Sequence, residues 1–471
     1  MSLLYLNHLE QWHIGGNPDI TRPIMMPSAR IQTVIDLLEK TGASRIPMDS
    51  TIGDYMRHRK YIGSKDRASI VERVYAMERA RARLGWWLAH VGAADHARNR
   101  MIAWLVLAEG EGLHAIDKLC DGSKYAPRPL QDDEKSLIEK LTGKKLDSEV
   151  VPETERVECP PQWESRLRDF FGKDFKTEMA ALLGSAPLDL RVNTRLIERE
   201  NAGRALAADG IDTDPTPFSP WGLRCRDKAY LSESKVFRDG MIEIQDEGSQ
   251  LIAYVAGVQP GMQVLDYCAG AGGKTLALAA AMKNKGRIVA MDIAEGRLEK
   301  ARPRFRRAGV ADIIEVRALS DEKNRKWLRR QKESFDVVLV DVPCSGTGTW
   351  RRNPDMRWRH YGPGLDELLA TQADILERVT KAVKLGGKLV YATCSLLPDE
   401  NEKQIEAFLA AHPEFELLPL DQAWEDGDAP SSPYLRLTPQ RHNTDGFFAA
   451  ILIRRQSSLP AYEDQITDNK Q

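Results

Sequence analysis

The sequence predicts an α/β protein: a doubly wound, mostly parallel sheet, preceded by an all-helical region and a small α+β segment. Three observations carry this. From about Phe237, apolar strand patterns alternate with helical ones at the spacing of βαβ units. Before residue 121 only helical periods occur. Between the two, residues 121–165 are broken by Gly122 and by prolines at 127, 129, 152, 160 and 161.

The 471 residues are enough for two or three domains, and 42% hydrophobic content supports sizeable cores. A net charge of −2 excludes a uniformly basic coat, so any nucleic-acid surface is a local patch. Six cysteines without a CxxC pair exclude a disulfide scaffold and give no support to zinc or thioredoxin-like sites. No stretch approaches the ~20 apolar residues of a membrane span, and the start lacks a basic region followed by an apolar run. A cytoplasmic, reduced protein without metal or membrane partner is expected.

Residues 1–26 read as irregular. Ile31, Val34, Ile35, Leu37 and Leu38 then set a helical period, and Ser64 is the expected N-cap of a second helix carrying Ile70, Val71, Val74 and Tyr75. Helices over 83–91 and 101–107 continue the style. Residues 121–165 have linker composition with one short helix at 134–141. A helix over 163–183, a strand over 188–193 and a helix over 197–209 form the α+β segment.

In the last part, strands are expected over 262–267, 287–292, 313–316, 335–341, 388–393 and 446–453. Helices fall over 275–282, on to Arg307 with a kink at Pro303, and over 367–383, with a turn at Gly386-Gly387. The expected organisation is a helical domain over 1–160, a connecting segment over 161–235, a doubly wound domain over 236–456 and a flexible polar tail over 457–471.

Candidate ligand residues lie at the strand ends. The first strand of the sheet runs into Cys268-Ala269-Gly270-Ala271-Gly272-Gly273-Lys274, where small residues let a ligand press on backbone amides at a helix N-terminus. By itself such a turn is equally a tight βα connection. The next strand ends at Asp292, an acid suited to ribose hydroxyls. The spacing is not that of a Walker A loop. Two later strands end in Asp341-Val342-Pro343-Cys344-Ser345-Gly346 and Ala392-Thr393-Cys394-Ser395. Ligands bind at the carboxyl edge of open α/β sheets, so both cysteines belong at the site.

These motifs resemble the Sun (RsmB-like) family of RNA 5-methylcytosine methyltransferases. Gln245-Asp246-Glu247-Gly248-Ser249 and Thr444-Asp445-Gly446-Phe447-Phe448 are similar to further family elements. The resemblance covers residues 236–456. More loosely, Gly63-Ser64-Lys65-Asp66-Arg67 resembles the NusB-like RNA-binding domain of bacterial members, and 187–194 their interdomain segment. It implies a Rossmann-like class I methyltransferase domain with a seven-stranded, mostly parallel sheet.

It also implies S-adenosylmethionine as cofactor, bound by Cys268 to Lys274, Asp292 and Asp341. Ala271 departs from the family's usual proline. The third strand ends in Val316-Arg317-Ala318-Leu319-Ser320-Asp321, with no acid assigned to the adenine.

The implied reaction is methylation of carbon 5 of a cytosine in RNA, with ribosomal RNA favoured. Carbon 5 needs activation, which a thiolate adding to carbon 6 supplies. The resemblance gives the attack to Cys394, product release to Cys344, and a hydrogen bond to N3 to Asp341. Cys120, Cys159 and Cys225 read as buried small hydrophobes. Two alternatives stay open: a non-catalytic RNA-binding ribosome assembly factor, and a DNA cytosine-5 methyltransferase.

Arginines interleaved with tryptophans over 350–359 suggest substrate contact by phosphate pairing and base stacking. Arg302, Arg304, Arg306 and Arg307 read equally as a solvated face. The Trp86-Trp87 pair reads as core.

Overall fold

The computed structural model describes residues 25–359, 361–424 and 432–455. The irregular start over 1–24 and the polar tail over 457–471 lie outside the described residues.

Pro27 at the first helical position opens the helix Pro27–Ala43, whose stripe of Ile31, Val34, Ile35 and Leu37 is buried. Helices Met48–Arg57, Ser64–Arg79, Arg81–His90, Ala97–Leu107, Leu113–Leu119 and Asp132–Leu141 pack with it around one core, in which Trp87 is fully buried. Ser64 is not the N-cap; Gly63 holds that place without a side-chain bond, and Ser64 is the first helical residue. Residues 121–165 are more than a linker. Leu130, Leu146 and Val151 fill the helical core, and Glu158 caps the helix Arg81–His90. Its buried carboxylate accepts the N–H groups of Ala82 and Arg83 at 2.8 and 3.1 Å and Arg83 Nε at 2.8 Å.

The expected helix over 163–183 is two, Pro161–Phe171 and Phe175–Ala181, parted by a 3-10 turn that starts at Gly172 with φ +52°. Beyond it, β1 (Asp189–Val192), β2 (Thr213–Pro215), β3 (Gly222–Cys225) and β4 (Ile242–Ile244) form an antiparallel sheet in the order β2-β3-β1-β4. Three of these strands escape the sequence because three or four residues are too few to show a period of two. The helix Arg199–Ala208 packs on this sheet through Ala202 and Leu206.

The large sheet holds β5 (Gln263–Asp266), β6 (Arg287–Asp292), β7 (Ile314–Ala318), β8 (Phe335–Asp341), β9 (Val383–Thr393), β10 (Phe415–Leu418), β11 (Leu435–Leu437) and β12 (Phe447–Arg454). Its order is β10-β12-β9-β8-β5-β6-β7, with β11 also on β12. β5 to β9 run parallel, and β12 is antiparallel to β9. This is the expected seven-strand path plus a short edge strand. The central strands are buried on both faces, which is why they read as unbroken apolar runs.

At Gly386-Gly387 the chain makes a bulge inside β9. Val383 faces Phe335, Lys388 faces Val337, and Gly386 takes φ +76°. The helix Glu295–Arg307 continues through Pro303. The sheet's carboxyl edge therefore collects the ends of β5, β6, β8 and β9.

Candidate active site

At the end of β5 the chain turns through Gly270 and Gly272, with φ +57° and +81°. A Cβ on Gly272 would lie 2.5 Å from the Phe305 ring, so the turn requires glycine there on two counts. The helix Gly273–Ala281 starts immediately after. Arg304 clamps this turn: Nη1 donates to the Ala271 carbonyl at 2.7 Å, and Nη2 pairs with Glu243 at 3.0 Å. Arg307 also pairs with Glu243, and Arg302 with Glu299. The run 302–307 is thus not a uniform solvated face; its buried member holds the glycine-rich loop.

Asp292, at the end of β6, accepts the Gly270 N–H and the Ala294 N–H, each at 2.8 Å. Lys274 Nζ lies 2.8 Å from Asp341 Oδ2, with both side chains 2% exposed. Asp341 Oδ1 and Asp266 Oδ1 are buried without a partner among the described residues. Burial pushes the Asp266 carboxyl up to about 7, although Thr275 Oγ1 donates to it at 2.6 Å. Ala269, Gly270, Ala271, Gly272, Gly273 and Lys274 so meet Asp292 and Asp341 at one edge, and Cys268 lies half-buried beside them.

Asp321 caps the helix Glu322–Arg329, accepting the Lys323 N–H at 2.8 Å, and so is committed to the backbone. A small-residue turn, an acid bonded to that turn and unpartnered buried acceptors make a fit for a nucleoside-bearing cation.

Next to this edge, β8 and β9 bring two thiols together. Cys344 and Cys394 are buried, with their sulfur atoms 3.5 Å apart. The hydrogen bond with Cys394, and then burial, raise the Cys344 thiol well above its ordinary value. The Gly348 N–H donates to the Cys394 carbonyl at 2.9 Å, and the Gly446 N–H to the Gly348 carbonyl at 2.8 Å. A Cβ on Gly348 would fall 2.1 Å from the Gly446 carbonyl oxygen. The segment around Thr444 thus closes over the Cys344 loop.

The Trp350 to Arg359 segment takes a different place from the expected one. Trp350, Arg351 and Arg357 are buried. Arg351 Nε meets Asp445 at 2.6 Å, and Arg352 Nη2 meets Asp246 at 2.7 Å. Arg79 donates to the Arg351 carbonyl at 2.8 Å, Asp355 accepts the Met48 N–H at 2.9 Å, and Arg359 donates to the Thr41 carbonyl. Most of the loop is a clasp that fastens the helical region to the large sheet. Asp246 and Asp445 are the partners that sequence reasoning missed. Both stand in quoted motifs, yet 199 residues separate them and nothing local joins them.

The model of 16S rRNA methyltransferases RsmB/F matches residues 253–453, and that of the RsmF/B-like ferredoxin-like domain matches residues 159–229. A probable ribosomal RNA small subunit methyltransferase B from Synechocystis is 32% identical over 350 residues, covering 74% of this chain and 76% of that protein. The chain belongs to the RsmB/F methyltransferase family.

A second relative, ribosomal RNA small subunit methyltransferase B of Yersinia pestis, is 29% identical over 415 residues, 84% of this chain and 92% of its own. The crystal structure of PH0851 agrees at a TM-score of 0.74 and 27% identity, covering 91% of this chain and 99% of that one. NSun6 from Pyrococcus horikoshii, at 0.55 and 21%, shares the fold over 63% of this chain and 99% of its own. As an RsmB/F protein the chain is a methyltransferase with S-adenosylmethionine as cofactor. The resemblance and the Rossmann-like fold class expected from the sequence are both right. Among the described residues, no helix is long and apolar enough to cross a membrane and no acid, cysteine and histidine group could hold a metal.

Proposed function

We propose that the protein methylates carbon 5 of a cytosine in small-subunit ribosomal RNA through a covalent bond between Cys394 and carbon 6 of the ring. The single observation that carries this reading is the pair of thiols at the ends of β8 and β9, 3.5 Å apart and adjoining the Lys274–Asp341 pair. By the family resemblance Cys394 is the sulfur that attacks, and Cys344, in contact with it, is its partner.

The Cys394 thiolate adds to carbon 6, and the electron pair of the 5,6 double bond becomes available at carbon 5. The Asp341 carboxyl group, protonated on the oxygen that Lys274 leaves free, donates a hydrogen bond to N3 as charge shifts onto the ring. Bound S-adenosylmethionine supplies an electrophilic methyl group on a sulfonium. Ala269 to Lys274, with Cys268 beside them, would hold the cofactor on their backbone, and Asp292 would hold its ribose. Once carbon 5 has taken the methyl group, a base removes its proton, the pair of that carbon–hydrogen bond restores the 5,6 double bond, and the carbon 6–sulfur bond breaks with its pair returning to Cys394. Cys344, in contact with that sulfur, serves this release.

The helical region, 1–160 in the sequence reading, supplies RNA binding in a NusB-like manner. Residues 161–235 connect it to the catalytic part, 236–456.

The test is product identity. Small-subunit ribosomal RNA is incubated with the protein and methyl-labelled cofactor, then digested to nucleosides. Label in 5-methylcytidine, lost on ribonuclease but not deoxyribonuclease treatment, supports the reading. Label in another nucleoside contradicts it, and binding without any transfer supports an assembly factor.

A further inference from the structure

Glu400 stands outside every motif used so far. It is fully buried, at the end of the 3-10 turn Pro398–Glu400 that follows the Cys394 strand end. Its Oε1 accepts the Ser345 N–H at 2.8 Å and Gln372 Nε2 at 3.0 Å. Its Oε2 accepts the Ser345 hydroxyl at 2.5 Å, and its backbone carbonyl accepts the Tyr391 hydroxyl at 2.6 Å. Ser345 follows Cys344 directly, and Tyr391 lies on β9 three residues before Cys394. Gln372 extends the same network to the Pro343 carbonyl, at 3.0 Å, on the other side of Cys344.

A carboxylate is costly to bury unless donors surround it. Here three donors converge on one group, and hydrogen bonds to a charged acceptor are roughly twice as strong as neutral ones. The residues they come from bracket Cys344, while the turn that carries Glu400 is tied to Ser395, next to Cys394, through the Leu397 N–H and Asn401 Nδ2. We propose that Glu400 is a positioning residue for methyl transfer: its carboxylate fixes the Cys344 loop against the Cys394 strand end and so sets the spacing of the two thiols. This rests on the reading of the cysteines as the reacting pair and deepens it.

Chain geometry separates the variants. Glu400→Gln keeps the length, one oxygen for Ser345 N–H and Gln372, and an amide that donates to the Ser345 hydroxyl. Glu400→Asp keeps the charge but is one methylene short of both partners. Glu400→Ala leaves the Ser345 N–H without an acceptor and takes from the Gln372 amide one of its two, the Pro343 carbonyl remaining.

The full-length protein is assayed twice. The first assay is transfer to a small-subunit ribosomal RNA transcript, read as kcat and as KM for S-adenosylmethionine. The second needs no RNA: diamide takes two hydrogens from the paired thiols, and the rate of disulfide formation reads their spacing by mass. The expected result is a kcat lowered about a hundredfold in Glu400→Asp and Glu400→Ala, the size of effect of a 1 Å misplacement. KM stays unchanged, disulfide formation slows in both, and Glu400→Gln restores both readouts.

Wild-type kcat and disulfide rate in Glu400→Asp would overturn the proposal, as would failure of Glu400→Gln to recover either readout while its melting temperature is unchanged. If Glu400→Ala does not fold, the Asp and Gln pair decides alone. Full methylation by Cys394→Ala would instead overturn the reading of the cysteines, and the disulfide rates would still judge Glu400.

Discussion

At the scale of single residues, the site depends on buried charges held by committed partners. Lys274→Met removes the cation from Asp341, 2.8 Å away, and leaves a carboxylate buried. Breaking such a pair costs about 3–5 kcal/mol, which denaturant unfolding will read. Gly272→Ala puts a methyl group into Phe305 at φ +81°. It is expected to cost about 1–3 kcal/mol and to lower cofactor affinity, measured by calorimetry, because the turn must open. These residues were legible in the sequence as types at strand ends. What was not legible was which oxygen each carboxylate has left. Asp292 is tied to the Gly270 N–H, and Asp321 to the Lys323 N–H. A backbone bond of that kind has no signature in residue order.

At the scale of elements, long apolar strands and periodic helices could be read, because burial on two faces or one stripe writes itself into the pattern. Short strands could not, and β4 needed β1 beside it to be a strand at all. The first turn of the helix Met48–Arg57 carries a testable consequence. Burial, with Asp355 nearby, pushes Asp49 up to about 7 from an ordinary value near 4. The folded state therefore holds this proton more tightly than the unfolded chain. The stabilisation is complete below about pH 4 and lost as pH rises to 7. Asp49→Asn should raise the melting temperature at pH 8 relative to wild type and leave it little changed at pH 4. An equal shift at both pH values would contradict the assignment.

At the scale of the molecule, the helical region and the large sheet are joined by the segment from Trp350 to Arg359. The sequence shows its arginines and tryptophans but not that acids at Asp246 and Asp445 come from two distant parts of the chain to pair with them. A composition suited to RNA is equally a composition suited to a buried clasp, and only the fold distinguishes them. Asp355→Ala removes the acceptor for Met48 N–H. Limited proteolysis should then cleave between the helical region and the sheet faster than in wild type, with cofactor binding retained. Unchanged cleavage would show that the other clasp contacts suffice.

The central claim is that Cys394 bonds to the base and Cys344 lets the product go. The most direct measurement is denaturing gel electrophoresis of the Cys344→Ala protein after incubation with S-adenosylmethionine and small-subunit ribosomal RNA or its precursor particle. A protein–RNA band that survives denaturation, and that disappears when Cys394→Ala is added, is the predicted result. A band that persists in the double variant, or methylation at wild-type rate by Cys394→Ala, would contradict the account.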